Sequence, residues 1–266
     1  MTNRIECDHR PGRGPAIVLV HGNSSSRAIW RPLMEHLGDR EVLAMDLRGH
    51  GASAWVRPPD YSTAGYADDI ARAVERLAGR EFVLVGHSNG ALASTYYAAR
   101  FDPKPKAFIY IDVSPRIPEY QVSYFHERAA SVDRVWRSLE KLTATMRAGD
   151  PSVPTEAFST YLSEFAEPVE GGFRQMLDPM TFGAWEPADV WADLQSLAMP
   201  LHFVRGGTSD VLPPEVVNEM RARLTAARFH EIEGAGHFMM LAKPERLAAI
   251  IDEAVRDVEA IGAQRG

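Results

Sequence analysis

Six apolar runs along the chain predict the strands of one buried sheet. The hydrophobic residues in these runs are mostly consecutive and do not alternate with polar ones, which is typical of strands covered on both faces. Strands buried in this way belong mostly to parallel sheets, so we predict a mostly parallel sheet. The runs are residues 17–20, 42–45, 82–85, 107–113, 201–204 and 229–232.

Helical stripes lie between and after these runs. One stripe of apolar residues, three or four positions apart, extends from Tyr66 to Leu77, and another extends from Leu247 to Ile261. This spacing predicts amphipathic helices whose apolar faces cover the sheet. Strands that alternate with such helices predict a fold of the α/β class.

The alternation of strands and helices stops between residues 116 and 191. The hydrophobic pattern there is helical, includes several prolines and is rich in aromatic residues. We predict that residues 116–191 form a helical cap. Residues 1–115 and 192–266 then form the α/β core, and core and cap together make one structural unit.

Composition limits the partners of the chain. Its 266 residues, 45% of them hydrophobic, can bury a large core in one domain. The net charge of −7 argues against nucleic acid or an anionic membrane as a partner, because both need clustered basic residues. Cys7 is the single cysteine, and the first residues lack the apolar core of a signal peptide. We expect a cytoplasmic protein that acts on a small molecule; the sequence indicates no oligomeric state.

The most informative segment for chemistry is the Gly-x-Ser-x-Gly turn around Ser88. The apolar run 82–85 leads into Gly86, and a helical run of small residues follows Gly90. A strand that turns sharply into a helix leaves no room for side chains beside the bend, so glycines flank it. The helix N-terminus at this point favours an anion. Ser88 is therefore the candidate nucleophile.

A loop after the first apolar run is a candidate oxyanion loop. Its sequence is His21-Gly22-Asn23. Acyl transfer needs two donors aimed at the oxyanion, one from the residue after the nucleophile and one from a loop beside a neighbouring strand. We predict that the backbone amides of Asn23 and Asn89 are these donors.

Two further loops offer an acid and a base. His237 lies in a glycine-rich loop after the last apolar run, and Asp210 lies in the loop after the run before it. A serine hydroxyl needs an imidazole that accepts its proton, and the imidazole needs a carboxylate that holds its tautomer. We assign His237 as the base and Asp210 as the acid. Asp112, at the end of the run 107–113, is the alternative acid.

The other histidines do not indicate a metal site. His126, His202 and His230 have no acidic or histidine partner at the chain spacing of metal ligands, and no nucleotide-binding glycine loop follows a strand. His87 is expected to point away from the neighbouring Ser88, because side chains alternate along a strand. We predict neither a metal nor a cofactor.

With these residues in place, the chain resembles the α/β-hydrolase superfamily from about residue 15 to its C-terminus. The order serine, acid, histidine is the order of that family. The segment 46–51, Asp-Leu-Arg-Gly-His-Gly, is similar to a structural turn of the same family. The resemblance implies a mostly parallel central sheet flanked by helices, with a helical cap inserted after the sixth strand. One departure is the short stretch before His21, which predicts a shortened leading hairpin.

Together these features predict a cofactor-independent serine hydrolase that cleaves a partly apolar carboxylic ester through an acyl-enzyme. The serine argues against the epoxide hydrolases and haloalkane dehalogenases of this fold, which use an aspartate nucleophile. Carbon–carbon bond hydrolases, lactonases, amidases and cofactor-free haloperoxidases share the serine triad and remain alternatives. A ligand receptor or regulatory protein with slow turnover is an alternative from a different class.

Overall fold

The computed structural model describes the backbone of residues 4–263 and the side chains of residues 4–260. Its strands are β1 Cys7–Arg10, β2 Arg13–Val20, β3 Arg40–Met45, β4 Tyr61–Ser62, β5 Phe82–His87, β6 Ala107–Ile111, β7 Ala166–Val169, β8 Gly172–Gln175, β9 Trp185–Glu186, β10 Leu201–Gly206 and β11 Arg228–Ile232.

Seven of these strands form the central sheet, in the order β1-β3-β2-β5-β6-β10-β11. Only β1 is antiparallel to its neighbour, with Cys7 opposite Met45; the other pairs are parallel. The predicted mostly parallel sheet is confirmed, and each of the six apolar runs contributes one of its strands. The strand predicted over 107–113 is shorter, because Asp112 takes a φ of 54° and ends the extended backbone after Ile111.

Helices cover both faces of the sheet. Within residues 4–263, no helix combines the length and the apolar character that a bilayer span requires. Two single-turn 3₁₀ helices occupy Arg27–Trp30 and Glu75–Leu77. The α-helices are α1 Arg31–Glu35, α2 Thr63–Val74, α3 Asn89–Arg100, α4 Glu119–Glu127, α5 Ala129–Val132, α6 Leu139–Gly149, α7 Thr155–Phe165, α8 Met180–Gly183, α9 Trp191–Ser196, α10 Pro214–Arg223, α11 Met239–Ala242 and α12 Pro244–Ala263.

Strand β2 shows why the predicted runs are continuously apolar. Ile17 and Leu19 belong to the core that contains α1 and α12, whereas Val18 and Val20 belong to the opposite core with α2 and α3. All four side chains are fully buried. Burying a side chain of this size contributes about 1.5–3 kcal/mol. The buried part of β2, residues 16–20, is therefore apolar at every position because it lies between two helical layers.

The predicted helical stripes are buried as expected where the structure describes them. Tyr66 and Leu77 lie in one core, and Leu247 lies in the other. The side chain of Ile261, the last member of the C-terminal stripe, lies outside the described residues.

Residues 116–191, here called the inserted segment, lie on the loops at the carboxyl end of the sheet. Leu177 forms a β-bridge with His50, and β9 pairs with β4, so the segment contacts the chain that follows β3. Besides helices it contains the hairpin β7–β8, which the helical pattern did not predict. Glu170 and Gly171 form the two-residue turn of this hairpin, and Gly171 and the following Gly172 both have positive φ.

Candidate active site

The nucleophile turn has the strained backbone that the sequence predicts. Ser88 lies between β5 and α3 with φ 54° and ψ −127°, and its amide donates to the carbonyl of Ile111 at 2.8 Å. A Cβ atom on Gly86 would lie 2.7 Å from the Ala91 Cα, and one on Gly90 would lie 2.3 Å from a carbonyl oxygen. Glycine is therefore required on both sides of Ser88, which is held half-exposed at the start of a helix.

The predicted oxyanion loop lies directly beside this turn. A Cβ atom on Gly22 would lie 2.7 Å from the Ser88 Cβ, so the loop backbone packs against the serine. The two residues predicted to supply amides are also in contact, because Asn89 Nδ2 donates to Asn23 Oδ1 at 3.1 Å. The structure therefore brings Ser88, Asn23 and Asn89 together at the N-terminus of α3.

Asp112 is the carboxylate that contacts His237. Its Oδ2 lies 2.8 Å from His237 Nδ1 and accepts from the Ser209 hydroxyl at 2.5 Å, and its Oδ1 accepts from the Gly206 amide at 3.2 Å. The carboxylate is fully buried. Because β6 is the neighbour of β5 in the sheet, Asp112 and Ser88 emerge side by side at its carboxyl end.

The expected contact between Asp210 and His237 is not what the structure shows. In the turn after β10, Ser209 is buried and faces Asp112, whereas the next residue, Asp210, is exposed. Asp210 lines a groove of about 440 Å³ beside His237 without taking the place of its carboxylate partner. The assignment of the acid to Asp210 is thus corrected in favour of the alternative, Asp112, as the residue at His237. The chain order serine, acid, histidine is the same with either aspartate.

His87 is buried and contacts His237. Its Nε2 lies 3.0 Å from the carbonyl oxygen of His237, and the two ring centres are 4.4 Å apart. Burial, followed by the charge of His237, lowers the pKa of His87 well below the usual histidine value. A neutral ring therefore lies against His237 and holds its backbone by one hydrogen bond.

The inserted segment holds the loop that carries His237. The Phe238 amide donates to Asp150 Oδ2 at 2.8 Å, and the Gly236 amide donates to Ser152 Oγ at 2.8 Å. Asp150 is only 4% exposed. These contacts are absent from the sequence analysis, since more than eighty positions of chain separate their partners and no local pattern marks them.

A second contact joins the inserted segment to the oxyanion side of the site. The indole Nε1 of Trp185 donates to Asn89 Oδ1 at 2.9 Å, and both side chains are buried. Trp185 also packs against Phe125, with ring centres 4.9 Å apart. The inserted segment therefore contacts the site at the His237 loop and at Asn89, the residue after Ser88.

The segment 46–51 forms a turn that is held by hydrogen bonds and an ion pair of Asp46. Asp46 accepts from the amides of Arg27 and Ala52 and forms an ion pair with the Arg27 guanidinium. Burial raises the pKa of Asp46, although the hydrogen bonds oppose that effect. His21 and His50 are fully buried, and burial lowers their pKa to about 4 and about 3.

Among the described residues, one group has donor atoms close enough to consider for a metal: His202, His230 and Glu253, within 4.8 Å of one another. Nδ1 of His202 faces Nε2 of His230 at 3.1 Å, and the rings are parallel within 2°. This head-on geometry is that of an N–H···N hydrogen bond, whereas lone pairs that share a tetrahedral ion converge at an angle. Glu253 is paired with Arg228 at 2.7 Å. The contact between the two histidines arises from the register of β10 and β11, which the spacing of the residues along the chain does not indicate.

Comparison with known proteins identifies the family of the chain. The model of the Alpha/beta hydrolase family matches residues 17–250. The chain belongs to the α/β-hydrolase family. The hydrolase is 27% identical to 2-(acetamidomethylene)succinate hydrolase of Mesorhizobium japonicum, over 88% of its own chain and 85% of that protein. It is also 27% identical to Esterase Rv0045c of Mycobacterium tuberculosis, over 90% and 82% of the two chains. Esterase YbfF of Escherichia coli is 25% identical to the chain, over 91% of this chain and 93% of that protein.

Solved structures agree with this assignment. The crystal structure of E-2-(acetamidomethylene)succinate hydrolase superposes with a TM-score of 0.84 at 26% identity, covering 95% of each chain. A structure of Rv0045c superposes with a TM-score of 0.83, covering 96% and 90% of the two chains, and at 24% identity it supports the fold alone.

Proposed function

We propose that this hydrolase cleaves carboxylic esters with Ser88 as nucleophile, His237 as general base and Asp112 as the acid of the triad. The bond between His237 and Asp112 is the observation that carries the proposal, and Asp112 follows β6, the neighbour of the strand that leads to Ser88. The prediction of an ester hydrolase is confirmed by relatives that are themselves named esterases. The assignment of each step to a residue rests on the geometry of the site.

The reaction begins with attack of the Ser88 hydroxyl on the ester carbonyl. Nδ1 of His237 is bonded to Asp112, so Nε2 is the nitrogen that accepts the serine proton. His237 passes this proton to the leaving alcohol, and the acyl group stays on Ser88. Water then attacks the acyl-enzyme with His237 again as base, which releases the carboxylic acid and restores the serine.

The negative charge that develops on the carbonyl oxygen needs donors that are already in place. The backbone amides of Asn23 and Asn89 meet this need, since Gly22 allows the loop to approach Ser88 and Asn89 is the first residue of α3. The helix N-terminus adds its partial positive charge at the same point.

The inserted segment serves as the cap of the site and sets the acyl chains that fit. It contacts both the base loop and Asn89, and it contributes Asp150 and Ser152 to the groove beside His237. We further propose that residues 1–115 and 192–266 form the core, that the substrate is a small, partly apolar ester, and that the protein acts in the cytoplasm.

The test is hydrolysis of p-nitrophenyl esters of increasing acyl length by the wild type and by Ser88→Ala. Loss of the nucleophile is expected to lower kcat by about 10⁶-fold. Ser163→Ala is the matched control, because Ser163 lies exposed on α7 and bonds only to the Thr160 carbonyl. Equal turnover by wild type and Ser88→Ala would contradict the proposal, and the preferred acyl length measures the room under the inserted segment.

A further inference from the structure

The side chain of Asn89 forms the centre of a buried hydrogen-bond relay. Trp185 Nε1 donates to Asn89 Oδ1 at 2.9 Å, and Asn89 Nδ2 donates to Asn23 Oδ1 at 3.1 Å. Asn89 is 2% exposed and Trp185 is 4% exposed. The relay connects the inserted segment to the loop that packs against Ser88.

The direction of this relay is fixed by its first member. An indole nitrogen can only donate, so the atom of Asn89 that faces Trp185 must be its oxygen. The amide nitrogen of Asn89 therefore faces Asn23, and Asn23 must present its own oxygen there. An amide carries its two polar atoms on opposite sides, so the Nδ2 of Asn23 is turned away from Asn89.

We propose that the relay makes Asn23 Nδ2 a side-chain donor to the substrate carbonyl oxygen, with Asn89 as the residue that positions it. Asn23 is half-buried and follows Gly22, on which a Cβ atom would lie 2.7 Å from the Ser88 Cβ, so the inference puts the side-chain amide of Asn23 at the edge of the space where the oxyanion forms. The inference rests on the proposed esterase reaction and adds a third donor to the two backbone amides. No covalent step changes: the donor binds the oxygen that becomes negative during attack and releases it when the carbonyl reforms.

Kinetics of two variants test the relay. Asn23→Ala removes the donor, and a side-chain oxyanion donor contributes about 10²- to 10³-fold in kcat. Asn89→Leu removes the bond that orients Asn23 while filling similar space. We expect kcat to fall at least tenfold in each variant, KM to change less than threefold, and the double variant to be no slower than Asn23→Ala. Tyr96→Phe, a half-buried position on the same helix α3, is the control.

A binding measurement separates positioning from a general loss of structure. A phenylboronic acid forms a tetrahedral adduct with the serine, and its affinity for Asn23→Ala is expected to fall by a factor similar to that of kcat, with an unchanged melting temperature. Unaltered kcat in Asn23→Ala, or additive losses in the double variant, would overturn the relay. If the wild type is active, either of these results contradicts the relay but not the proposed esterase reaction. Activity of Ser88→Ala equal to that of the wild type would contradict the esterase reaction itself.

Discussion

Replacing Asp112 by asparagine tests which carboxylate serves His237. The two oxygens of Asp112 have different partners: Oδ1 accepts from the Gly206 amide, whereas Oδ2 accepts from the Ser209 hydroxyl and from His237. Asparagine has nearly the same shape, but one of its two terminal atoms is an NH₂ donor. The effect of the substitution depends on where that donor lies.

The surrounding groups fix the orientation of the new amide. An NH₂ group facing Gly206 would point at the Gly206 amide, so that two donors face each other without an acceptor. Each buried unpaired donor costs about 1–3 kcal/mol. The nitrogen must therefore face Ser209 and His237. Ser209 can rotate its hydroxyl and accept, but His237 can accept at Nδ1 only in the tautomer that carries its proton on Nε2. That tautomer cannot take the proton of Ser88.

We expect Asp112→Asn to lower kcat about 10⁴-fold, equivalent to about 5 kcal/mol of activation free energy, as the wrong tautomer does in a Ser-His-Asp triad. KM should change little, since Asp112 is buried behind His237. The assay is steady-state hydrolysis of the preferred p-nitrophenyl ester, with thermal unfolding to confirm that the variant is folded.

Asp210→Asn is the matched control for this prediction. Asp210 is exposed in the next loop, so its variant should keep kcat within about twofold of the wild type, as substitutions away from special features do. A larger loss in Asp210→Asn than in Asp112→Asn would refute the reasoning, and so would equal losses in both.

Two further predictions concern the buried groups around the site. His21 and His50 have a lowered pKa in the folded protein, so the unfolded chain binds their protons first and stability falls as the pH drops below about 6.5 towards 4. Guanidinium unfolding at pH 7.5 and pH 5 should differ by about 4 kcal/mol for the two histidines together, and a free energy of unfolding that does not decrease would contradict this. Asp150→Ala removes the acceptor of the Phe238 amide, which is expected to lower both the melting temperature and kcat, with a smaller loss in Asp150→Asn because one oxygen remains. Equal melting temperatures and rates in wild type and Asp150→Ala would show that this contact does not hold the base.

The sequence was sufficient for features that depend on local pattern. Strand β2 could be predicted because its buried part lies between two helical layers and is continuously apolar, and Ser88 because its turn requires glycine on both sides. The choice of acid could not be made in the same way. Asp112 and Asp210 both follow apolar runs, and only the turn after β10, which directs Ser209 inward and Asp210 outward, distinguishes them.

Contacts between distant parts of the chain were also beyond the sequence. Asp150 lies 88 positions from Phe238, and the partners Asn89 and Trp185 are 96 positions apart. Nothing in the local spacing of polar residues marks such pairs. The hairpin β7–β8 was missed for a related reason: its four-residue strands are too short to show a period of two within a helical background.

The hydrogen bonds that Asp150 and Trp185 of the inserted segment make to the site have a consequence for protein engineering. Exchanging residues 116–191 for the corresponding part of another hydrolase, in order to change the substrate, would also remove Asp150 and Trp185. The transplanted segment would then leave the Phe238 amide and the Asn89 oxygen without their partners. A chimera that keeps Asp150 and Trp185 can alter the shape of the pocket while the hydrogen bonds of the catalytic residues stay the same. A chimera without these two side chains changes selectivity and turnover together.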